Sequence, residues 1–254
     1  MPASGLGPLA SARKTGNRRP LAAVGLSEAP SLVNTEPQPR QAGVGRALVC
    51  FAVRQEAEAF RKLARARADV GLLLTGMGRH NARFALDRWL ATENPARVLS
   101  CGFAGGLNPA LALGEVVFET ADESLRQTLV AAGAKPGRFH CLDRVVVTAA
   151  EKAALWRDTG ADAVDMESAA IQDLCRQRQI PCATVRVVLD TASETLPLDF
   201  NRLVKPDLSL DYGKLALALA RRPGTIPALR RLQADARFAA QRLAEVLARV
   251  IGPR

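Results

Sequence analysis

From Ala47 onward, short apolar runs alternate with amphipathic segments along the chain. The apolar runs lack strict polar–apolar alternation, which is typical of strands buried on both faces. The predicted strands are Ala47–Ala52, Val70–Thr75, Arg97–Cys101, Glu115–Glu119, Arg144–Thr148, Asp162–Met166 and Cys182–Leu189. The helices predicted between them are Gln55–Ala66, His80–Thr92, Ser124–Ala132, Ala149–Asp158 and Glu167–Arg178. This order predicts an α/β fold, a three-layer sandwich with a central mixed, largely parallel sheet flanked by helices.

Two further helices are predicted at the C-terminal end, Leu215–Ala220 and the longer, basic and amphipathic Ile226–Ile251. The apolar stripe of the longer helix comprises Leu229, Leu232, Phe238, Leu243, Val246, Leu247 and Val250. One interpretation, which we favour, is an outer helix that packs on the sheet and leaves its arginines in solvent. The other is a helix that lies on a membrane surface.

Residues 1–46 are rich in Pro, Gly, Ser and Ala and show no sustained periodicity. They are predicted to be a disordered, basic N-terminal extension, and residues 47–254 are predicted to form the folded domain. The net charge of +10 sits on two flanks, because residues 1–46 carry six basic and two acidic side chains and residues 221–254 carry eight and two. Residues 47–220 carry 21 of each sign, so no nucleic-acid partner is expected.

The cysteines and histidines argue against two kinds of site. The five cysteines form no CxxC pair, and the chain contains only two histidines. Neither a disulfide framework nor a metal centre is therefore expected. No stretch approaches 18 uninterrupted apolar residues, so a conventional transmembrane helix is not predicted.

Candidate site residues follow the first predicted strands. Glu56 lies in the first turn of a helix, where a carboxylate can act as general base on water or simply stabilise the helix N-terminus. In Thr75-Gly76-Met77-Gly78, the small residues let backbone amides approach an oxygen-rich ligand, and Thr75 adds a hydroxyl. Both segments are expected at the ligand-binding edge of the sheet, since ligands sit at the carboxyl ends of parallel strands.

Later segments add a flat pocket and more acids. Phe103, Ala104 and Gly105, within Ser100–Leu107, leave room for a flat ligand against the backbone, with Phe103 lining or stacking on it. The segment Asp165-Met166-Glu167 ends a strand, and a carboxylate there can accept hydrogen bonds from a ribose diol. Asp190 ends the run Cys182–Leu189 and is a candidate general acid with a raised pKa. Each acid also has an ordinary alternative role in helix capping or a strand-end turn.

Taken in order, a first-strand Glu, TGMG, GFAGGL, VDMESAAI and VRVVLD, these segments resemble the nucleoside phosphorylase and nucleosidase superfamily over residues 47–200. The resemblance implies that Glu167 binds the ribose hydroxyls, Met166 packs on the sugar, Asp190 protonates the purine and Glu56 activates water. It also implies a cytoplasmic homodimer without a cofactor. Leu189 departs from the serine usual before the acid, which removes one hydrogen bond expected to orient it.

The tail after Asp190, with Thr195–Phe200, Lys205-Pro206-Asp207 and Ala220–Gly224, is similar to a hopanoid-associated subgroup. That similarity implies removal of adenine from adenosylhopane, a lipid-linked nucleoside, with peripheral contact at the inner membrane through the basic C-terminal helix. Short connections after Glu119 and near Val146–Ala150 are expected to open the site to a bulky 5′ substituent. The alternatives are a soluble nucleosidase for methylthioadenosine, adenosylhomocysteine or futalosine, and a non-catalytic nucleoside-binding protein.

The identity of the nucleophile is left open by the sequence. Phosphate as co-substrate requires cationic or amide donors, and Arg54, Arg79 and Thr75 are the candidates. Glu56 favours water, because a carboxylate would repel phosphate.

Overall fold

The computed structural model describes residues 46–65, 67–205 and 211–252. Except for Arg46, the extension predicted at residues 1–46 lies outside the described residues, as do Pro206 and Asp207. The division of the chain at residue 47 therefore stays a prediction, although the first strand does begin at Ala47.

Strands and helices alternate through most of the described chain. The strands are β1 (Ala47–Phe51), β2 (Val70–Leu74), β3 (Arg97–Gly106), β4 (Val116–Thr120), β5 (Lys135–Pro136), β6 (Phe139–Cys141), β7 (Ala163–Asp165) and β8 (Cys182–Asp190). The helices are α1 (Arg54–Ala64), α2 (Arg79–Leu90), α3 (Glu123–Ala131), α4 (Ala149–Thr159), α5 (Ser168–Gln177), α6 (Tyr212–Arg221) and α7 (Ile226–Val250).

In the described residues, one mixed sheet of eight strands forms the middle layer, as predicted. Its main path runs β2-β1-β3-β8-β4-β5, with β7 paired to both β3 and β6. The pairs β2–β1, β1–β3 and β3–β8 are parallel, whereas β4 is antiparallel to β8 and β7 is antiparallel to β3. The carboxyl ends of β1, β2, β3 and β8 therefore share one edge, where ligands of such sheets bind.

Helices cover both faces of the sheet. On one face α1, α3 and α7 pack over a core that includes Phe51, Phe60, Leu129 and Leu243. On the other face α2 and α5 bury a second core that includes Leu86 and Ile171.

Two sequence-based strand predictions require correction. Arg144–Thr148 is not a strand, because the backbone N–H and C=O of Val145 bond to the Asn201 side chain and Thr148 caps α4. The chain instead forms the short strands β5 and β6 just before this segment. The strand predicted to end at Cys101 continues to Gly106, because β8 and then β7 pair with its last residues.

The short connection after Glu119 does not open the candidate site of the same chain, so this expectation is wrong. Residues 121–122 join β4 to α3, but Thr120 pairs with Ala183 at the start of β8. The connection therefore lies at the sheet edge opposite Asp190. The connection at 146–150 does border the acid, since Val147 and Ala149 bond to the segment that follows Asp190.

The long C-terminal helix α7 divides into two halves. Its C-terminal half buries Leu243, Val246, Leu247 and Val250 against the sheet, as the packing interpretation predicts. Its N-terminal half is exposed, and Phe238 of the predicted stripe is 49% exposed. In the described part of the chain, no helix is long and apolar enough to cross a membrane.

The packing of α7 can be tested with Leu243→Ala. Leu243 is fully buried, so the truncation leaves a cavity and should lower the free energy of unfolding by about 2–5 kcal/mol. The control is Leu217→Ala on α6, where the side chain is 51% exposed and the change should stay within about 0.5 kcal/mol. Urea denaturation of both variants measures the difference, and equal losses would refute this packing.

Candidate active site

Glu56 projects from the first turn of α1 towards β3. Its Oε2 accepts hydrogen bonds from the backbone N–H groups of Ala52 (3.0 Å) and Val53 (3.2 Å), and its Oε1 accepts one from Phe103 (2.8 Å). Burial raises the pKa of Glu56, while these amides and the Arg186 guanidinium oppose the rise. The carboxylate therefore both caps the helix and sits in a dry place with an increased proton affinity, as a general base needs.

Asp190 ends β8 at the same edge and forms a buried ion pair with Lys152 of α4 through Oδ2. Within the described ranges, Oδ1 has no hydrogen-bond partner from the protein. Burial raises the pKa of Asp190, and Lys152 opposes that rise. One oxygen of this carboxyl is thus anchored, and the other is free to meet a ligand.

Glu167 follows the end of β7 and is the N-cap residue of α5. Its Oε1 accepts a hydrogen bond from the Gly78 N–H at 2.7 Å, and its Oε2 lies 3.8 Å from Arg186 Nη2. Burial raises the pKa of Glu167 to about 7 against the opposing charge of Arg186. Gly78 has a φ of 83°, a conformation that favours glycine, so the TGMG turn presents the amide that holds Glu167.

Arg186 is the cation beneath these acids. It is completely buried in the middle of β8, and it bonds to Asp165 Oδ2 at 2.6 Å and to the Ser100 carbonyl at 2.7 Å. The charges of Asp165, Glu167 and Glu56 all favour its ionised form and raise its pKa. One guanidinium therefore interacts with three carboxylates, and it opposes without cancelling the rise in pKa that burial causes at Glu56 and Glu167.

Asp165 does not take the substrate-binding position predicted for it. Its carboxylate is fully hidden and is used by Arg186 and by the N–H and hydroxyl of Ser168. A side chain so committed cannot also accept bonds from a ligand. Asp165 fixes Arg186 and the start of α5 instead.

The glycines of β3 show how the candidate base and acid are spaced. A Cβ on Gly102 would lie 2.7 Å from Glu56 Oε1, and one on Gly105 would lie 3.4 Å from Asp190 Oδ2. These glycines are three residues apart on one strand, about 10 Å at the ordinary rise. Glu56 and Asp190 therefore lie at the two ends of the Gly102–Gly105 segment, with Phe103 and Ala104 between them.

The remaining predicted ligand residues lie near this segment with varied exposure. Thr75 is buried, and its hydroxyl oxygen lies 2.9 Å from the Gly76 carbonyl and 3.3 Å from the Phe51 carbonyl, either of which can accept its one proton. Phe103, Met166, Gly76 and Gly105 are half-buried, and Ala104 is buried. Their partial exposure leaves surface for a ligand along the edge.

The two arginines considered for phosphate are placed unfavourably. Arg54 is exposed at the start of α1. The Arg79 guanidinium is held by Asp143 at 2.8 Å and by the Cys141 carbonyl at 3.0 Å. Among the described residues, no three His, Cys, Asp or Glu side chains come together so as to hold a metal ion.

Sequence reasoning missed Arg186 and Lys152. A signal for Arg186 was present, because a charged residue inside the apolar run Cys182–Leu189 has to find a buried partner. Lys152 gave no signal, since a lysine in an amphipathic helix ordinarily faces solvent.

The raised pKa of Glu167 predicts a pH-dependent stability that Glu167→Gln should reduce. The folded state holds the proton up to about pH 7, so the stabilisation is complete below pH 4.5 and is lost as the pH rises through 7. The glutamine keeps an oxygen for the Gly78 N–H and should gain about 1–3 kcal/mol over the native protein between pH 5 and 8. Thermal unfolding at several pH values measures this, with exposed Glu58→Gln as control. Parallel curves for native and Glu167→Gln would contradict the assignment.

Comparison with known proteins places this geometry in a family. The family model described as phosphorylase superfamily matches residues 49–121 and 118–221. A 5′-methylthioadenosine/S-adenosylhomocysteine nucleosidase of Anoxybacillus flavithermus is 28% identical over 173 residues, covering 54% of this chain and 75% of that protein.

Solved structures share the fold. A futalosine hydrolase mutant of Helicobacter pylori has a TM-score of 0.59 at 16% identity, covering 80% of this chain and 99% of that one. A 5′-methylthioadenosine/S-adenosylhomocysteine nucleosidase of Neisseria meningitidis, in complex with methylthio-immucillin-A, has a TM-score of 0.57 at 21% identity, with coverages of 80% and 99%. The family match and the shared fold together lead to one conclusion: the chain belongs to the phosphorylase superfamily and is an enzyme of its nucleosidase and nucleoside phosphorylase class.

Proposed function

We propose that the protein cleaves the N-glycosidic bond of an adenine nucleoside and releases adenine. The supporting observation is the placement of Glu56 and Asp190 at the two ends of the Gly102–Gly105 segment, with Glu167 beside them. In this arrangement Asp190 gives a proton to the purine, and Glu167 accepts hydrogen bonds from the ribose hydroxyls. Cleavage passes through an oxocarbenium-like state, which an acid at the base and carboxylates near the sugar stabilise.

The proposed nucleophile is water, activated by Glu56. Three backbone amides hold the Glu56 carboxylate in place, and burial raises its pKa. Accepting a proton from water neutralises this carboxylate, which reduces its repulsion with the two other acids that share Arg186. The Arg79 guanidinium is paired with Asp143, and Arg54 lies exposed, so neither supports a phosphate site.

The proposed substrate is lipid-linked, with adenosylhopane as the specific candidate. The sequence similarity to the hopanoid-associated subgroup supports this choice. The segment after Asp190 supports it as well. Residues 195–201 bond to Val145, Val147 and Ala149, and the Leu203 carbonyl accepts a hydrogen bond from the N–H of Asp211, the N-cap of α6. Helix α6 buries none of its residues, although it carries Leu215, Leu217 and Leu219.

The proposed location is the cytoplasmic face of the inner membrane. Helix α6 and the N-terminal half of α7 expose Tyr212 (73%), Leu217 (51%) and Ile226 (37%). The same stretch of chain exposes four arginines, Arg221, Arg222, Arg230 and Arg231. Exposed apolar side chains with arginines suit the anionic surface of a bilayer. A homodimer is also proposed, on the family resemblance alone, and light scattering of the purified protein tests it.

The alternative is a soluble nucleosidase for methylthioadenosine, adenosylhomocysteine or futalosine. The names of the similar nucleosidase and futalosine hydrolase support this alternative. For methylthioadenosine and adenosylhomocysteine the two proposals differ at the 5′ end of the nucleoside, and the proposed cleavage of the N-glycosidic bond is the same in both.

Adenine release from adenosylhopane and from methylthioadenosine, each with and without phosphate, distinguishes these proposals. We expect adenine from adenosylhopane together with a free ribosyl product in either buffer, because water is the nucleophile. A phosphorylated sugar would refute hydrolysis, and release from methylthioadenosine alone would refute the lipid-linked substrate. Asp190→Asn should lower the rate about 10²–10⁴-fold, the range for loss of a general acid.

Membrane contact can be tested by flotation with vesicles. We expect the protein to rise with vesicles rich in anionic phosphatidylglycerol and to stay below with neutral phosphatidylcholine. The double variant Tyr212→Ser/Leu217→Ser should weaken flotation, because it removes the two large hydrophobic side chains that α6 exposes most. Phe84→Ser, which removes an exposed aromatic from α2, is the matched control and should float normally.

A further inference from the structure

Lys152 is an unusual residue for its position. It lies on α4, away from the strands that carry the candidate acids, yet its side chain is 0% exposed. Burying an ammonium group is costly unless a negative charge and hydrogen-bond acceptors surround it. The residues around Lys152 therefore show which groups stabilise the buried ammonium.

The ammonium group has an acceptor for each of its three protons. Nζ donates to Asp190 Oδ2, to the Thr191 carbonyl at 2.7 Å and to the Glu194 carbonyl at 3.0 Å. Because all three partners are acceptors, the site fits the charged form of lysine and no other.

The turn after Asp190 is built to supply two of these acceptors. The Glu194 carboxylate accepts hydrogen bonds from the Thr191 N–H at 2.8 Å and from the Thr191 hydroxyl at 3.0 Å. These bonds close the turn, so that its two carbonyls point at Lys152. The cation is thus fixed by the backbone and not only by the acid with which it pairs.

From this geometry we propose that Lys152 is the positioning residue of the acid, a fixed counter-charge that orients Asp190 and strengthens it as a proton donor. Lys152 holds Oδ2, which leaves Oδ1 without a protein partner among the described residues, 3.8 Å from where a Cβ on Gly105 would lie. The inference rests on the proposed function, because it concerns the step in which the purine leaves.

The step balances as follows in protons and electrons. As the C1′–N9 bond breaks, its electron pair goes to the purine, and the Asp190 Oδ1 proton goes to a purine ring nitrogen. The adenine leaves neutral, and the Asp190 carboxylate remains paired with the Lys152 ammonium. Water adds to C1′ and gives its proton to Glu56. Because the ion pair stabilises the carboxylate that this step produces, Lys152 lowers the cost of the proton transfer.

Lys152→Met tests the proposal, since methionine has a similar length and no charge. We expect kcat for the adenine nucleoside to fall about 10²-fold or more, the lower bound for losing general-acid catalysis. The limb of the pH profile on which activity is lost at high pH should move upward, because the pKa of Asp190 rises without its cation. A purely structural defect would lower the rate without moving this limb.

A riboside with a nitrophenolate leaving group gives a second readout. Nitrophenolate departs without being protonated, so Lys152→Met should change its hydrolysis by less than about threefold. In an Asp190→Asn background, Lys152→Met should likewise add little, since the two residues act as one unit. Equal losses on both substrates, or additive losses in the double variant, would overturn the proposal.

Two measurements separate this inference from the proposed function. Lys135→Met removes a lysine with a 58% exposed side chain from an ion pair with Glu115, and it should leave all rates unchanged. The pKa of the Asp190 carboxyl, followed by carbon NMR and assigned with Asp190→Asn, should be higher in Lys152→Met whether or not a substrate is turned over. No rise would overturn the proposal. If the pKa of Asp190 rises but the native protein cleaves no nucleoside, the proposed function is rejected, and the effect of Lys152 on Asp190 still stands.

Discussion

The buried guanidinium of Arg186 is the charge on which the whole ligand edge depends. Three carboxylates lie close enough to interact with it, and Asp165 binds it directly. Without this cation the region would hold only negative charge in a dry place, at a cost of several kcal/mol per ion. With it, Glu56 and Glu167 keep raised pKa values but stay in place.

The two buried cations stand in different relations to the acids near them. Arg186 is shared by three carboxylates, and burial still raises the pKa values of Glu56 and Glu167 against its charge. Lys152 serves Asp190 alone and draws its other partners from neutral carbonyls. The candidate base Glu56 and the candidate acid Asp190 thus have different electrostatic surroundings, although both carboxylates lie beside glycines of β3. Unequal surroundings of this kind let like groups perform opposite proton transfers.

The fold and much of the site could be predicted from sequence because their signals are local. Apolar runs predict β1, β2, β4 and β8 nearly to the residue. The acids that follow strands point to Glu56, Glu167 and Asp190, which the structure brings to one edge of the sheet. The errors arose where tertiary contacts decide. Val145 looks like a strand residue but bonds to the Asn201 side chain, and Lys152 looks like a surface residue but lies under Asp190. The leucine at position 189 predicts that Asp190 lacks one orienting hydrogen bond, but Lys152 holds Asp190 instead.

The hydrogen bonds of the site connect parts of the chain that are far apart in sequence. Glu56 bonds across 47 residues to Phe103, Gly78 across 89 to Glu167, and Arg186 across 86 to Ser100. Closing loops of this size costs entropy that only the finished sheet repays. The ligand edge therefore needs these distant segments of the chain to be brought together by the sheet.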